Sequence, residues 1–325
     1  MKRSKAGLVL IIIGVVLIIL TPIWKWGLGP TLVKIPDDID ITSVYEGTLT
    51  LNVDPTSMQV LPAGMEVKIP LTITRKDVSE PEKSSSSVAV VKEVVDAKGP
   101  GGKTFLTWTR YYAMDRKTGE NVAGNNSDMD RTGYFLLLSF NVEKKTYPFF
   151  DDDAGKTGDA KFVKVEKRDG FKYKDTNVYV FEISGSDVIK KAPLGLPDKI
   201  PGKDIKAIIN NPNAPFNDDE LYKIDYIKST EATIVADQKT GTIVDIPAYQ
   251  EEYFVDATAL GQGKIKLATL KYRQTLESVH AVVDDAAKYY SLLDMVDVWI
   301  PIILLVLGLV VLAIGLGLYL RKPSA

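Results

Sequence analysis

The chain has 325 residues, with 40 lysines and arginines against 42 aspartates and glutamates, one histidine and no cysteine. Disulfides, thiolate catalysis and cysteine metal sites are thereby excluded, and a single histidine cannot build a histidine-based metal cluster. A net charge of −2 without any basic stripe also excludes a nucleic-acid partner, since nothing is arranged to displace phosphate counterions.

The N-terminus, Met1-Lys-Arg-Ser-Lys5, is basic and precedes Ala6–Leu20, which carries no polar side chain. Together with Thr21–Trp24 it rises roughly 28 Å as a helix, about the hydrocarbon thickness of a bilayer. A signal peptide starts in the same way, but no Ala-x-Ala-like site follows. Trp24 and Trp26 suit interfacial anchors, so a retained helix over residues 6–24 is expected. Residues 298–320 repeat the design, with no charge until Arg321 and Lys322. In hydrocarbon the backbone must satisfy itself, which predicts a helix at each end. Lys2, Arg3, Lys5, Arg321 and Lys322 flank these helices on the sides away from the middle. The positive-inside rule therefore predicts a two-pass plasma-membrane protein with residues 1–5 and 321–325 cytoplasmic and the middle extracytoplasmic. All 42 acidic residues and all but five basic ones lie in that middle, leaving it a net charge of about −7. Gly7 and Gly14, and likewise Gly308 and Gly315, are two helical turns apart. The spacing predicts a hairpin of the two helices packed through these small faces.

Residues 25–275 read as a β-rich, mainly antiparallel domain, making the fold class an α+β membrane protein. Val44–Val53, Val67–Thr74, Val88–Val95, Thr104–Ala113, Tyr134–Val142, Val178–Ile183 and Ala232–Val235 are rich in β-branched and aromatic residues. Glu80–Ser87 and Gly99–Gly102 read as loops, and Asn210–Asp219 as an irregular stretch after a short helix near Asp204–Ile209. D-x-K-T-G-x-x-V occurs twice, from Asp115 through Gly119 and from Asp237 through Gly241. An aspartate that caps a turn and a glycine at positive φ suit a chain reversal; two similar hairpins or an internal duplication both account for the echo. Residues 276–297 switch to a three- and four-residue apolar period through Leu276, Val279, Val283, Ala286, Tyr290 and Leu293. That predicts an amphipathic helix leading to the membrane, and Pro301 suits the first turn of the helix that follows.

Candidate chemistry is sparse. Asp151, Asp153 and the later Asp159 offer closely spaced carboxylates before a glycine turn, a pattern that can ligate Ca²⁺; an EF-hand loop would need glutamate where Phe162 stands. That motif fails, and a solvated acidic turn is the expected reading. His280 reads as a surface or interface residue. No phosphate loop, zinc motif or nucleophile–base arrangement is present, so no catalytic residue and no cofactor is expected, with calcium at these aspartates as the alternative.

The chain resembles the PorA-like membrane proteins, a family best represented in actinobacteria. The resemblance rests on the terminal helices, on Tyr111-Tyr-Ala-Met-Asp-Arg-Lys-Thr-Gly119, on Glu143-Lys-Lys-Thr-Tyr-Pro-Phe-Phe-Asp151, on Tyr179-Val-Phe-Glu182 and on the Asp237–Gly241 turn. It covers nearly the whole length; Phe149 and Phe150 stand where the family usually has tryptophans. The family implies this architecture and supplies no catalytic residues. The plan is also similar to that of class B scavenger receptors, which bind lipid. The expectation is a non-enzymatic envelope protein that binds a lipid or envelope polymer, or assembles as a homo-oligomer on the lipid bilayer. An oligomeric channel and a hydrolase are the alternatives.

Overall fold

Helix α1 (Lys5–Ile23) is followed by strands β1 (Asp40–Leu51), β2 (Val67–Ser79), β3 (Val88–Lys98) and β4 (Thr104–Asp115). Next come β5 (Tyr147–Asp151), β6 (Lys156–Glu166), β7 (Val178–Val188), β8 (Lys199–Pro201), helix α2 (Gly202–Ile208) and β9 (Leu221–Lys223). Strands β10 (Tyr226–Asp237), β11 (Ile243–Asp256) and β12 (Lys264–Gln274) precede helices α3 (Leu276–Ala287), α4 (Tyr290–Asp294) and α5 (Ile300–Leu320). The computed structural model describes residues 4–54, 57–166, 170–189, 192–258 and 262–321; Lys2, Arg3 and Lys322, on which the charge rule leans, lie outside them. The chain divides into two compact units, one made of both ends up to Ile35 and from Ala287, the other Pro36–Ala286.

In the first unit, α1 and α5 are long and apolar enough to cross a membrane, and they pack backbone against backbone. A Cβ added to Gly7 would lie 2.6 Å from the Tyr319 amide nitrogen, and one on Gly14 2.6 Å from that of Leu312. From the other side, a Cβ on Gly315 would lie 2.7 Å from the Ile11 nitrogen, and one on Gly308 2.8 Å from Ile18 Cγ1. No larger residue fits at these crossings, which is the close approach that small residues permit between helices in lipid. Beyond the helix, Trp24 Nε1 donates to the Val296 carbonyl at 3.0 Å and ties the two segments together again. Pro301 sits in the first turn of α5, where no intrahelical N–H is needed.

In the second unit a ten-stranded antiparallel sheet runs in the order β4-β3-β2-β1-β12-β11-β10-β7-β6-β5. If this sheet were flat, its edge strands would stand nine spacings apart, roughly 43 Å. Yet Tyr112 on β4 donates from its hydroxyl to Asp152, in the turn after β5, at 2.8 Å. The sheet is therefore curled into a half-barrel whose edges meet. Along each strand one set of alternate residues faces a large core that includes Tyr45, Leu49, Ile73, Phe181, Ile234 and Val255, together with Ile205, Ile208 and Ile209 from α2 and its flank. The opposite set, the back face, is covered in part by α3. Val279, Val282, Val283 and Ala286 pack there with Val178, Val180, Val235 and Val244.

Most predicted strands lie within β1–β4, β7 and β10, but residues Tyr134–Val142 differ. They form an irregular rope with isolated bridges from Tyr134 to Phe149 and from Leu137 to Thr242. Its apolar Tyr134, Leu138 and Val142 are buried as core filling, while its backbone pairs with β5 at Tyr134 alone and, through the amides of Leu138, Asn141 and Val142, with carbonyls of the turn after β10. β-Branched and aromatic content marks burial as well as pairing. Conversely β5, β6, β11 and β12 escape the sequence pattern. β11 carries Asp245, Pro247, Glu251 and Glu252 and meets both neighbours through register shifts, which break the alternation. In α3 the buried stripe is Val279, Val282, Val283 and Ala286; Leu276, expected on it, is 40 % exposed because it stands at the very start of the helix.

Candidate functional site, two charged layers on one sheet

Three turns share one construction, and the one at Asp151 carries charged residues of the site. Asp115 Oδ1 accepts from the amides of Lys117 and Thr118 at 2.8 and 2.9 Å. Asp237 Oδ1 accepts from those of Lys239 and Thr240 at 3.1 and 2.8 Å. Asp151 Oδ1 does the same for Asp153 and Ala154, both at 3.0 Å. In each turn the residue four positions on is a glycine at positive φ, Gly119, Gly241 and Gly155. Its amide donates to the aspartate's carbonyl. The reversal needs positive φ, which a side chain resists. Four-residue spacing from Asp to Gly, without the K-T between, was the available sign of the third turn. The two D-x-K-T-G turns also grip the same rope from two sides. A Cβ on Gly241 would lie 2.4 and 2.5 Å from the carbonyl oxygens of Leu138 and Ser139; one on Gly119 would meet Leu137 Cδ1 at 2.4 Å and the Leu138 oxygen at 3.0 Å.

On the core face the strands and the Asp151 turn bring together a chain of buried and half-buried charges. Arg75 Nε lies 3.1 Å from Asp77 and 3.0 Å from Glu93. Glu93, on β3, also faces Trp108 Nε1 at 3.3 Å and the Tyr112 hydroxyl at 3.2 Å. Asp152 then gathers Arg110 at 3.1 Å, Tyr112, and Arg131 Nε at 2.7 Å, closing one sheet edge onto the other. Arg131, 1 % exposed, reaches on to Asp128 at 2.6 Å. The chain continues through Asp153 to Lys228, whose ammonium touches Asp151 at 2.7 Å, Asp153 at 3.0 Å and Glu251 at 3.3 Å. Tyr249 and Tyr253 donate to Glu251. Taking ions out of water is costly, so such a chain survives only if every member is paired. The titration behaviour reflects this. Burial pushes Asp77 up to about 6, with Arg75 opposing the rise and Glu93 adding to it. At Lys228 burial works downward, but Glu251, Asp153 and Asp151 hold the ammonium above its ordinary range. Burial and then Glu251 raise Tyr249 and Tyr253.

The structure thus brings Asp151 and Asp153 together on a protein cation, Lys228, and leaves Asp159 on β6 opposite Pro148. Among the described residues, no three histidine or carboxylate side chains are arranged to hold a metal ion. His280 sits on α3 beside Phe171, ring edge to face at 5.8 Å, with its Nε2 buried and without a hydrogen-bond partner.

On the back face, past the end of α3's footprint, the strands change character. β7 goes from Val178 and Val180 to Glu182 and Ser184, and β10, read back from its end, from Val235 to Thr233 and Glu231. Here lies an open groove of about 700 Å³ that crosses β1, β12, β11, β10 and β7. Its charged lining is Glu46, Lys271, Arg273, Glu231 and Glu182, all exposed. Among the described residues, none of the five is held in an ion pair or hydrogen bond by another side chain. Sequence reading passed over this site because its residues come from five separate strands and only the register makes them neighbours.

The model of the family described as Porin PorA matches residues 6–317. This chain belongs to that family. No curated protein matches the sequence. Among solved structures, one described as a MaoC domain protein dehydratase from Chloroflexus aurantiacus J-10-fl is 11 % identical. Over 79 % of this chain and 80 % of that one its TM-score is 0.12, too slight a likeness to bear on the fold.

Proposed function

We propose that this PorA-family chain is a non-enzymatic, two-pass membrane protein whose central domain, on the extracytoplasmic side, binds an envelope polymer along the back-face groove. The observation that carries this is the groove itself: open, rigidly floored by five strands, and lined by charged side chains that no protein group holds. A lipid carrier calls for an enclosed apolar cavity. This groove is open and rimmed by charge, which favours a polar polymer over an acyl chain. A transmembrane barrel calls for an apolar outward band, whereas the back face exposes Glu46, Glu182, Glu231, Lys271 and Arg273 in mid-sheet. The family's own description favours a second reading, a pore made by assembly. The α1–α5 pair offers it no polar lining between Lys5 and Arg321 beyond Thr21 and Tyr319.

The test is native mass spectrometry of protein extracted gently from its own membrane, with Ala248→Trp as the control. Ala248 is exposed in the groove, so tryptophan fills it without disturbing the core. A saccharide or polymer mass retained by the native chain and lost from the variant is the expected result. A ligand-free oligomer that conducts ions in planar bilayers would sink the proposal in favour of the pore.

A further inference from the structure

The charges in the groove are ordered. Strand register sets Thr48, Lys271, Gln250, Glu231 and Ser184 side by side in one row across five strands. The row is polar throughout, with a cation on β12, a neutral amide on β11 and a carboxylate on β10. The neighbouring row on the same face repeats the polarity, with Arg273 on β12 and Glu182 on β7 beside Thr233. Glu46, opposite Arg273, is the one acid at the basic side. Two strand steps separate Lys271 from Glu231, roughly 10 Å between backbones. Two rows of the same polarity make the groove dipolar, basic at β12 and acidic at β10 and β7. A polyanion would meet Glu182 and Glu231, and a polycation would meet Lys271 and Arg273. Like charges set face to face at a binding site reject the wrong partner.

Resting on the groove as the binding site, we infer that its ligand is zwitterionic: a polymer carrying an anionic group and an amine about 10 Å apart along its length. The anion lies over Lys271 and Arg273, the amine over Glu231 and Glu182, and Gln250 serves the uncharged stretch between them with its amide. The contacts are exposed, so binding is of modest strength and weakens with salt.

Three probes separate the cases: hyaluronan, with carboxylates only; chitosan oligomers, with amines only; and partly N-deacetylated hyaluronan, which carries both. Binding to the full chain in nanodiscs is measured at low and physiological salt. The zwitterionic polymer is expected to bind at least tenfold more tightly than either one-sign polymer. Lys271→Gln and Glu231→Gln should each remove most of that preference while leaving the thermal midpoint unchanged. If a one-sign polymer binds as well as the mixed one and Ala248→Trp abolishes it, the zwitterion inference is overturned while the binding role stands. If neither these probes nor the polysaccharide fraction of the cell envelope binds, both fall.

Discussion

On the core face of the sheet, charges stand in a chain in which each carboxylate along the clasp is held by a cation at 2.6–3.4 Å. On the back face of the same sheet, five charged side chains are exposed and, among the described residues, held by no other side chain. The difference follows from solvent. A buried ion has lost its hydration and must recover the loss from a partner, whereas an exposed one keeps its water and stays available to a ligand. The paired layer ties the sheet's edges together, and the unpaired layer stays in contact with water. One sheet can do both because successive side chains point to opposite faces.

The comparison can be broken first at the clasp. Asp152→Ala leaves Arg110, Arg131 and Tyr112 without their shared acceptor; a loss of about 3–5 kcal/mol is expected in denaturant titration of the full chain in detergent. Stability within 1 kcal/mol of the native chain would mean that the two edges are not held by charge. Next comes the rope beneath the clasp. Gly241→Ala forces a Cβ onto two carbonyl oxygens at a backbone φ of +74°, and about 2–3 kcal/mol should be lost. Gly119→Ala should cost less, because its nearest obstacle is the end of the Leu137 side chain. Equal losses would contradict the difference in contacts.

A third effect reads the clasp through pH. Burial raises Asp77 from 3.8 to about 6, so the folded state keeps this proton where the unfolded chain has released it. Its contribution to stability is fully present below the unfolded value and is lost as pH rises through about 6. Asp77→Asn should flatten the difference in stability between pH 4 and pH 7 by on the order of 2 kcal/mol. An unchanged slope would place the titration elsewhere in the chain. The smallest effect belongs to the back face. Glu231→Gln and Lys271→Gln should each shift stability by less than about 0.5 kcal/mol, and a larger loss by thermal melt would show that the groove charges support the fold after all.

The pair of long apolar helices was the most legible part of the molecule. Its helices follow from uninterrupted apolar runs, and its contact face from glycines two turns apart, because helical geometry relates residues close in sequence. The strands with clean alternation, β1 to β4, were legible for the same local reason, and so were the Asp–Gly turns. Strand β11 was not, since its register shifts break the alternation and its carboxylates serve distant partners: Glu251 meets Lys228 in the clasp, Asp245 meets Lys172 and Tyr173, and Glu252 meets Lys266. The rope at Tyr134–Val142 looked like a strand because burial and pairing favour the same side chains.

By itself, then, the sequence determined the two apolar helices and their packing faces, the antiparallel β-rich middle and the reversals at Asp115 and Asp237, all properties of neighbouring residues. Only the tertiary structure decided that Asp151 and Asp153 meet Lys228, that Asp152 joins the sheet's edges, and that Lys271 and Glu231 share a row. Those relations depend on which strands adjoin and in what register. Pairing across 77 residues, as between Asp151 and Lys228, is set by the whole sheet's curl and leaves no local trace.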